Sequence, residues 1–167
     1  MKSKQLYVHC GSAHFKDNLF VTPRNCWWKP KPMDGTGLWG SRVGDPYGWR
    51  NWCEKNDYPL SHDCFKFKLS ENTNLIVLRK PEDLTSMPHI SPEDILRSDT
   101  SGMDLPSVTN ISNLMPQEWC FLDYEKMLSD GVDAIEVIGW PSLCKPLSIW
   151  DCNSIYIMNP QIIIEVE

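Results

Sequence analysis

The segment Gly35–Glu54 reads GTGLWGSRVGDPYGWRNWCE, and the interpretation of the whole chain depends on it. It places glycines, which let a backbone approach a ligand closely, beside three tryptophans, a tyrosine and two arginines. Aromatic rings next to planar cations suit a ligand that has flat rings and charged phosphates. The alternative is that these residues form a turn, a short strand and a helix whose tryptophans simply fill the core.

Length and composition limit the class of protein. A chain of 167 residues predicts one domain, 1–167, with a sizeable core. The net charge of −6 argues against an extended nucleic-acid surface but leaves a small nucleotide open as a ligand. Seven scattered cysteines without a Cys-x-x-Cys pair predict reduced thiols and no metal site. With no apolar run of membrane-spanning length, we expect a cytoplasmic protein.

Local patterns predict more strands than helices. Alternation and β-forming residues predict strands at 6–9, 38–41, 65–69, 74–78, 132–138, 154–158 and 162–164, with 19–22 a further strand or a packed loop. Helical spacing and caps predict helices over 47–56, from Ser91 to near Arg97, and over 116–129. Residues 23–37 read as a shaped loop, and 98–113 as a candidate lid or partner-facing insertion. Without βαβ regularity, this order predicts an α+β fold with mainly antiparallel sheets.

Two residues outside the opening segment are candidates for chemistry. Glu136 lies in the apolar strand 132–138, and burying a carboxylate without a partner costs several kcal/mol. Glu136 therefore faces the core or a cleft, or else belongs to an edge strand and points into water. His9 ends the first strand, where it either bonds a backbone carbonyl or binds a ligand.

Several motifs follow one another in a recognisable order. The first strand reads Tyr7-Val8-His9-Cys10-Gly11, and a Gly37-Leu38-Trp39-Gly40-Ser41 strand leads into an aromatic helix. A late strand carries Glu136, and the tail 150–160 is similar to a closing strand pair. This order resembles the histidine-bearing branch of the ADP-ribosyltransferase fold, found in bacterial toxins, poly- and mono-ADP-ribosyltransferases and some phage anti-defence proteins. The chain departs from that pattern by the inserted Cys10, by tryptophan where tyrosine is usual and by the absence of a Glu-x-Glu pair.

The resemblance implies a fold and an activity. The fold would be two packed, mainly antiparallel sheets with a few short helices around an NAD cleft. The activity would be mono-ADP-ribosylation of a macromolecular acceptor, expected to be a protein, as in a phage or bacterial effector acting in a host cytoplasm. NAD would be the substrate, and Glu136 would stabilise the positive charge that develops on its ribose.

The resemblance also implies roles in NAD binding. His9 would bind a ribose, backbone groups near Gly11 or Gly37 would hold the carboxamide, and Arg42 or Arg50 would pair with the pyrophosphate. One of three aromatic residues of the helix region would stack on the nicotinamide. The full set assigned to NAD binding is His9, Gly11, Gly37, Trp39, Ser41, Arg42, Tyr47, Trp49 and Trp52.

Three alternatives remain open at this stage. A non-catalytic module of the same fold would bind NAD or another nucleotide, or sequester a protein, and would not need Glu136. An NAD glycohydrolase would use water as the acceptor and label no macromolecule. In the last alternative the resemblance is accidental and the tryptophans are core.

Overall fold

The structure is a computed structural model that describes residues 5–101 and 110–167. Residues 102–109 of the predicted 98–113 loop lie outside the described residues, so the role of this loop as a lid or insertion stays a prediction. Within the described residues, seven short strands form one sheet in the order β4-β5-β6-β2-β1-β3-β7. The strands are β1 (Tyr7–Cys10), β2 (Leu38–Arg42), β3 (Cys64–Leu69), β4 (Leu75–Leu78), β5 (Ala134–Val137), β6 (Ser154–Ile157) and β7 (Ile163–Val166).

The sheet is mixed, with one parallel neighbour pair. β4 and β5 run parallel, whereas every other neighbouring pair in the order is antiparallel. The α+β class is therefore confirmed. The predicted pair of packed sheets is not shown, because the seven strands join into a single hydrogen-bonded order.

Apolar side chains cover both faces of this sheet. On β5 and β6, Ala134, Ile155 and Ile157 belong to one buried cluster, which also contains Tyr7 and Phe67. The residues that alternate with them belong to a second cluster, which contains Ile135, Val137, Tyr156, Leu78, Met127 and Trp150. Because successive residues of a strand point to opposite faces, the two clusters lie on opposite sides of the sheet.

Four α-helices are described: α1 (Trp49–Lys55), α2 (Pro92–Asp99), α3 (Tyr124–Ser129) and α4 (Trp140–Leu143). Short 3-10 helices occur at Asp17–Leu19, Pro81–Ser86, Ile111–Leu114, Ser148–Trp150 and Pro160–Ile162. The start of α2 is as predicted, since the Ser91 side chain accepts a hydrogen bond from the Asp94 backbone N–H.

The helix predicted over 116–129 is wrong in its first half. The side chain of Asp123 caps α3 by accepting from the Lys126 backbone N–H, so the helix begins only at Tyr124. Upstream, the Trp119 N–H donates to the Pro116 carbonyl, which is a turn rather than a helix. Residues 19–22 do not form a strand, and the other predicted elements match within about three residues at each end. Among the described helices, none has the length and apolar character needed to cross a membrane.

Candidate functional site

The site begins where two neighbouring strands separate. β1 and β2 pair through Tyr7 with Arg42 and Val8 with Ser41. Beyond these pairs β1 continues along β3, while the start of β2 pairs with β6, so a gap opens between β1 and β2. A cavity of about 310 Å³ lies at this gap. It is lined by Val8, His9, Cys10, Lys31, Asp34, Gly35, Trp39, Gly40, Ser41, Trp49, Trp150, Asp151, Cys152 and Ser154.

His9 bridges the two separating strands. Its Nδ1 lies 2.6 Å from the Trp39 carbonyl oxygen. Because a carbonyl only accepts, Nδ1 carries the hydrogen, and in the neutral ring Nε2 is an acceptor. Burial lowers the pKa of His9, and the bond to the Trp39 carbonyl partly opposes that shift. A Cβ at Gly11 would lie 3.0 Å from Nε2, so glycine at this position leaves room around the acceptor nitrogen.

Tryptophans form two walls of the cavity. The Trp39 ring packs edge-on against Trp150, with ring centroids 4.8 Å apart, and also contacts Tyr156. The Trp49 ring is stacked on Trp52 at 5.1 Å and 10°. Trp49 lines the cavity and Trp52 does not, so Trp52 supports Trp49 from the side away from the cavity.

The hydroxyl of Ser41 fixes the position of α1 against the sheet. It accepts from the Trp49 N–H at 3.0 Å and donates to the Asn153 carbonyl at 3.1 Å. Asn153 in turn donates its N–H to the Tyr47 carbonyl at 2.8 Å and its amide group to the Asp45 carboxylate. These bonds tie the segment before α1 to the start of β6, and they place Trp49 at the cavity.

Three charged residues line the same cavity and were not predicted. The Lys31 ammonium pairs with Asp34 at 3.1 Å. Asp151 has a positive φ of 70°, and burial raises its pKa although Lys31 and Lys29 oppose the shift. Asp151 and Asn153 are polar residues directly ahead of an apolar strand. This pattern is the sequence feature from which Asp151 and Asn153 could have been selected as candidates.

Glu136 does not lie at the cavity. Its side chain is 2% exposed and accepts two hydrogen bonds from the Arg42 guanidinium, at 2.7 and 2.8 Å. The pKa of the adjacent Tyr7 hydroxyl is raised by burial and then by the Glu136 carboxylate. Glu136 shares a strand face with Ala134, so it faces the core, which was one of the predicted alternatives. It is not among the residues that line the cavity.

The structure thus divides the residues that the resemblance assigned to NAD. His9, Trp39, Ser41 and Trp49 line the cavity, whereas Gly11, Gly37, Arg42, Tyr47 and Trp52 do not. Gly37 has a φ of 58°, and a Cβ there would lie 2.4 Å from the Tyr156 ring, so the sequence needs glycine for packing. Tyr47 is 50% exposed and contributes its carbonyl to Asn153.

Comparison of the chain with protein-family models, with curated proteins and with solved structures gives no match. The function is therefore inferred from the cavity itself. An acceptor nitrogen, two tryptophan walls, one ammonium group and two carboxylates suit a ligand that carries hydroxyl groups and a flat ring.

Proposed function

We propose that the chain is a mono-ADP-ribosyltransferase that binds NAD at the gap between β1 and β2 and transfers ADP-ribose to a protein acceptor. One observation carries the proposal. The gap brings His9 of β1 together with Trp39 and Ser41 of β2 and with Trp49 of α1. These residues come from the first two of the motifs on which the resemblance to ADP-ribosyltransferases depends.

The proposal also covers the type of α+β fold. The sheet would be an ADP-ribosyltransferase-like fold whose two parts, β1-β3-β7 and β4-β5-β6-β2, meet at the NAD cleft. The cavity volume of about 310 Å³ is at the lower end of the range of small-molecule pockets. We therefore assign the nicotinamide-ribose half of NAD to it.

The residues of the cavity supply specific contacts in this proposal. The nicotinamide ring stacks on Trp49, a contact worth about 0.5–1.5 kcal/mol beyond area burial. Nε2 of His9 accepts a hydrogen bond from a ribose hydroxyl, which requires the neutral ring. Lys31 is the cation in the cavity lining and pairs with a pyrophosphate that extends out of the cavity, replacing Arg42 in that role because Arg42 is bound to Glu136.

Cleavage of the nicotinamide–ribose bond leaves positive charge on the ribose, and a carboxylate beside it lowers the barrier. Glu136 was predicted to have this role, but its two oxygens are held by Arg42 outside the cavity lining. Asp34 and Asp151 both line the cavity, but Asp34 is paired with Lys31, so we assign the stabilising carboxylate to Asp151.

A second candidate function is NAD binding without turnover. The observation that favours it is the Arg42–Glu136 ion pair, which removes the predicted catalytic carboxylate from the cavity. A binding module needs the tryptophan walls and His9 but has no use for a carboxylate next to the ribose.

The two candidates differ in nicotinamide release, which needs no knowledge of the acceptor. We would incubate the wild type, Asp151→Asn and Glu136→Gln with a cell lysate as the source of acceptors and with NAD labelled in its adenosine part. Free nicotinamide and macromolecule-bound label would be measured against the same lysate without the protein. We expect Asp151→Asn to lower release by about a hundredfold, and Glu136→Gln to change it less than about threefold per folded molecule.

Each of the other possible results would support a different function. NAD binding without any nicotinamide release would establish the binding module. Release without macromolecular label would indicate a glycohydrolase. If Glu136→Gln is folded and is the only variant that loses nicotinamide release, the catalytic carboxylate is Glu136.

A further inference from the structure

Two cysteines face each other across neighbouring strands, and one of them, Cys10, lines the cavity. Cys10 ends β1 and Cys64 begins β3, and the antiparallel register places them directly opposite. The Gly11 N–H donates to the Asp63 carbonyl at 2.8 Å, so the next pair outward is a hydrogen-bonded pair. By alternation, Cys10 and Cys64 form a non-hydrogen-bonded pair, whose Cα atoms lie about 4.5 Å apart in such sheets.

This spacing is compatible with a covalent bond between the two side chains. Disulfides join residues whose Cα atoms are about 4.4–6.8 Å apart. The side chains of a directly opposite pair also lie on the same face of the sheet. The bond would therefore form without a shift of either strand.

Both thiols are partly buried. Burial raises the pKa of the Cys10 thiol to about 12, with a further contribution from the hydrogen bond and charge of the Cys64 thiol. Cys64 is partly exposed at the start of its strand, where its Sγ donates to the Ser61 carbonyl. Because a raised pKa leaves little of the Cys10 thiol ionised, we assign the first attack on an oxidant to Cys64 and the second to Cys10.

We propose that Cys10 and Cys64 are a redox-active dithiol that a glutathione-class disulfide converts reversibly to a disulfide in the cavity wall. The Cys64 thiolate attacks one sulfur of oxidised glutathione, forming a mixed disulfide and releasing one glutathione thiolate. The Cys10 thiolate then attacks the Cys64 sulfur and releases the second glutathione. Two electrons pass from the protein thiols to glutathione, and their two protons pass to the two glutathione thiolates through solvent.

Peptide mapping of the full chain tests this pair against its neighbours. Cleavage after Lys and Arg separates Cys10, Cys53 and Cys64 into the peptides 5–16, 51–55 and 56–66. The protein would be treated with oxidised glutathione, its remaining thiols alkylated under denaturing conditions, and the digest examined without reduction. We expect peptide 5–16 linked to peptide 56–66, and recovery of both free peptides after treatment with reduced glutathione.

Two variants define the order of the steps. Cys10→Ser is expected to trap glutathione on Cys64, whereas Cys144→Ser, which removes an exposed cysteine, is expected to leave the linkage unchanged. The peptide map of the wild type tests the proposal even if a variant fails to fold. The proposal is overturned if Cys10 stays reduced while Cys64 or Cys144 carries glutathione, or if peptide 5–16 is linked to peptide 51–55. These results do not depend on NAD binding.

Discussion

Strand β2 contributes to two different sites, one on each face. Trp39 and Ser41 line the cavity, while Arg42, which points to the opposite face, binds Glu136. Both sites contain a carboxylate, but the Glu136 side chain is 2% exposed and held by two charge-assisted hydrogen bonds. Asp151 instead lines the cavity that we propose binds NAD. We therefore treat the buried Glu136 carboxylate as the partner of Arg42, and Asp151 remains the carboxylate that we propose for chemistry.

The largest effect expected from this contrast is on stability. Arg42→Ala would leave the Glu136 carboxylate buried without its cation, and we expect a loss of about 3 kcal/mol in the free energy of unfolding. Urea unfolding would measure it. The matched control is Lys126→Ala, which removes the exposed pair with Asp130 and should cost at most about 0.5 kcal/mol. Equal losses in the two variants would mean that the buried ion pair has no structural role.

The next effect concerns affinity on the cavity face. Trp49→Ala removes the wall on which we place the nicotinamide, so the Kd for NAD should rise about tenfold. Trp52→Ala removes the stacked neighbour, which does not line the cavity, and should raise the Kd less. Isothermal titration of both variants would measure the difference. The reverse order of effects would place the ligand on the Trp52 side of the pair.

A smaller effect is expected from pH. Burial holds the pKa of His9 below its ordinary 6.5, so the fold favours the neutral ring. The stability that neutral His9 contributes is present above pH 6.5 and is lost as the pH falls through the lowered pKa. The affinity for NAD should fall in the same interval, because protonated Nε2 can no longer accept a hydrogen bond.

The contribution of His9 can be isolated by comparing the wild type with His9→Gln. Denaturant unfolding and titration with NAD would be measured for both proteins from roughly pH 7.5 to pH 5. The difference in free energy of unfolding between the two proteins should shrink toward acid pH. A difference that stays constant over the interval would show that His9 does not titrate there.

Much of the sheet could be predicted from local patterns. Strict alternation in 65–69 identified β3, where Phe65 and Phe67 are buried and Lys66 is exposed. The start of helix α3 was predicted wrongly, because the spacing of Trp119 and Leu122 resembles helical spacing. The cap at Asp123 determines where the helix begins. Local spacing also could not show that all strands join one sheet, since that depends on pairings between distant residues.

The candidate site was predictable only where its residues belong to motifs. His9, Trp39, Ser41 and Trp49 were selected from short patterns, and the structure brings them to one cavity. The sequence indicated that Glu136 needed a partner, but Arg42 is 94 residues away and was identified as its partner only from the folded chain. Asp151, Lys31 and Asp34 lie in irregular segments, whose paths are set by tertiary packing rather than by periodicity.

Titration of the wild type and Glu136→Gln with NAD, followed by tryptophan fluorescence, tests directly where NAD binds. We place NAD against Trp39 and Trp49, with Glu136 on the other face of the sheet. This placement predicts saturable quenching in both proteins, with Kd values that agree within about twofold. Absence of a response at millimolar NAD, or its loss in Glu136→Gln that is still folded, would contradict it.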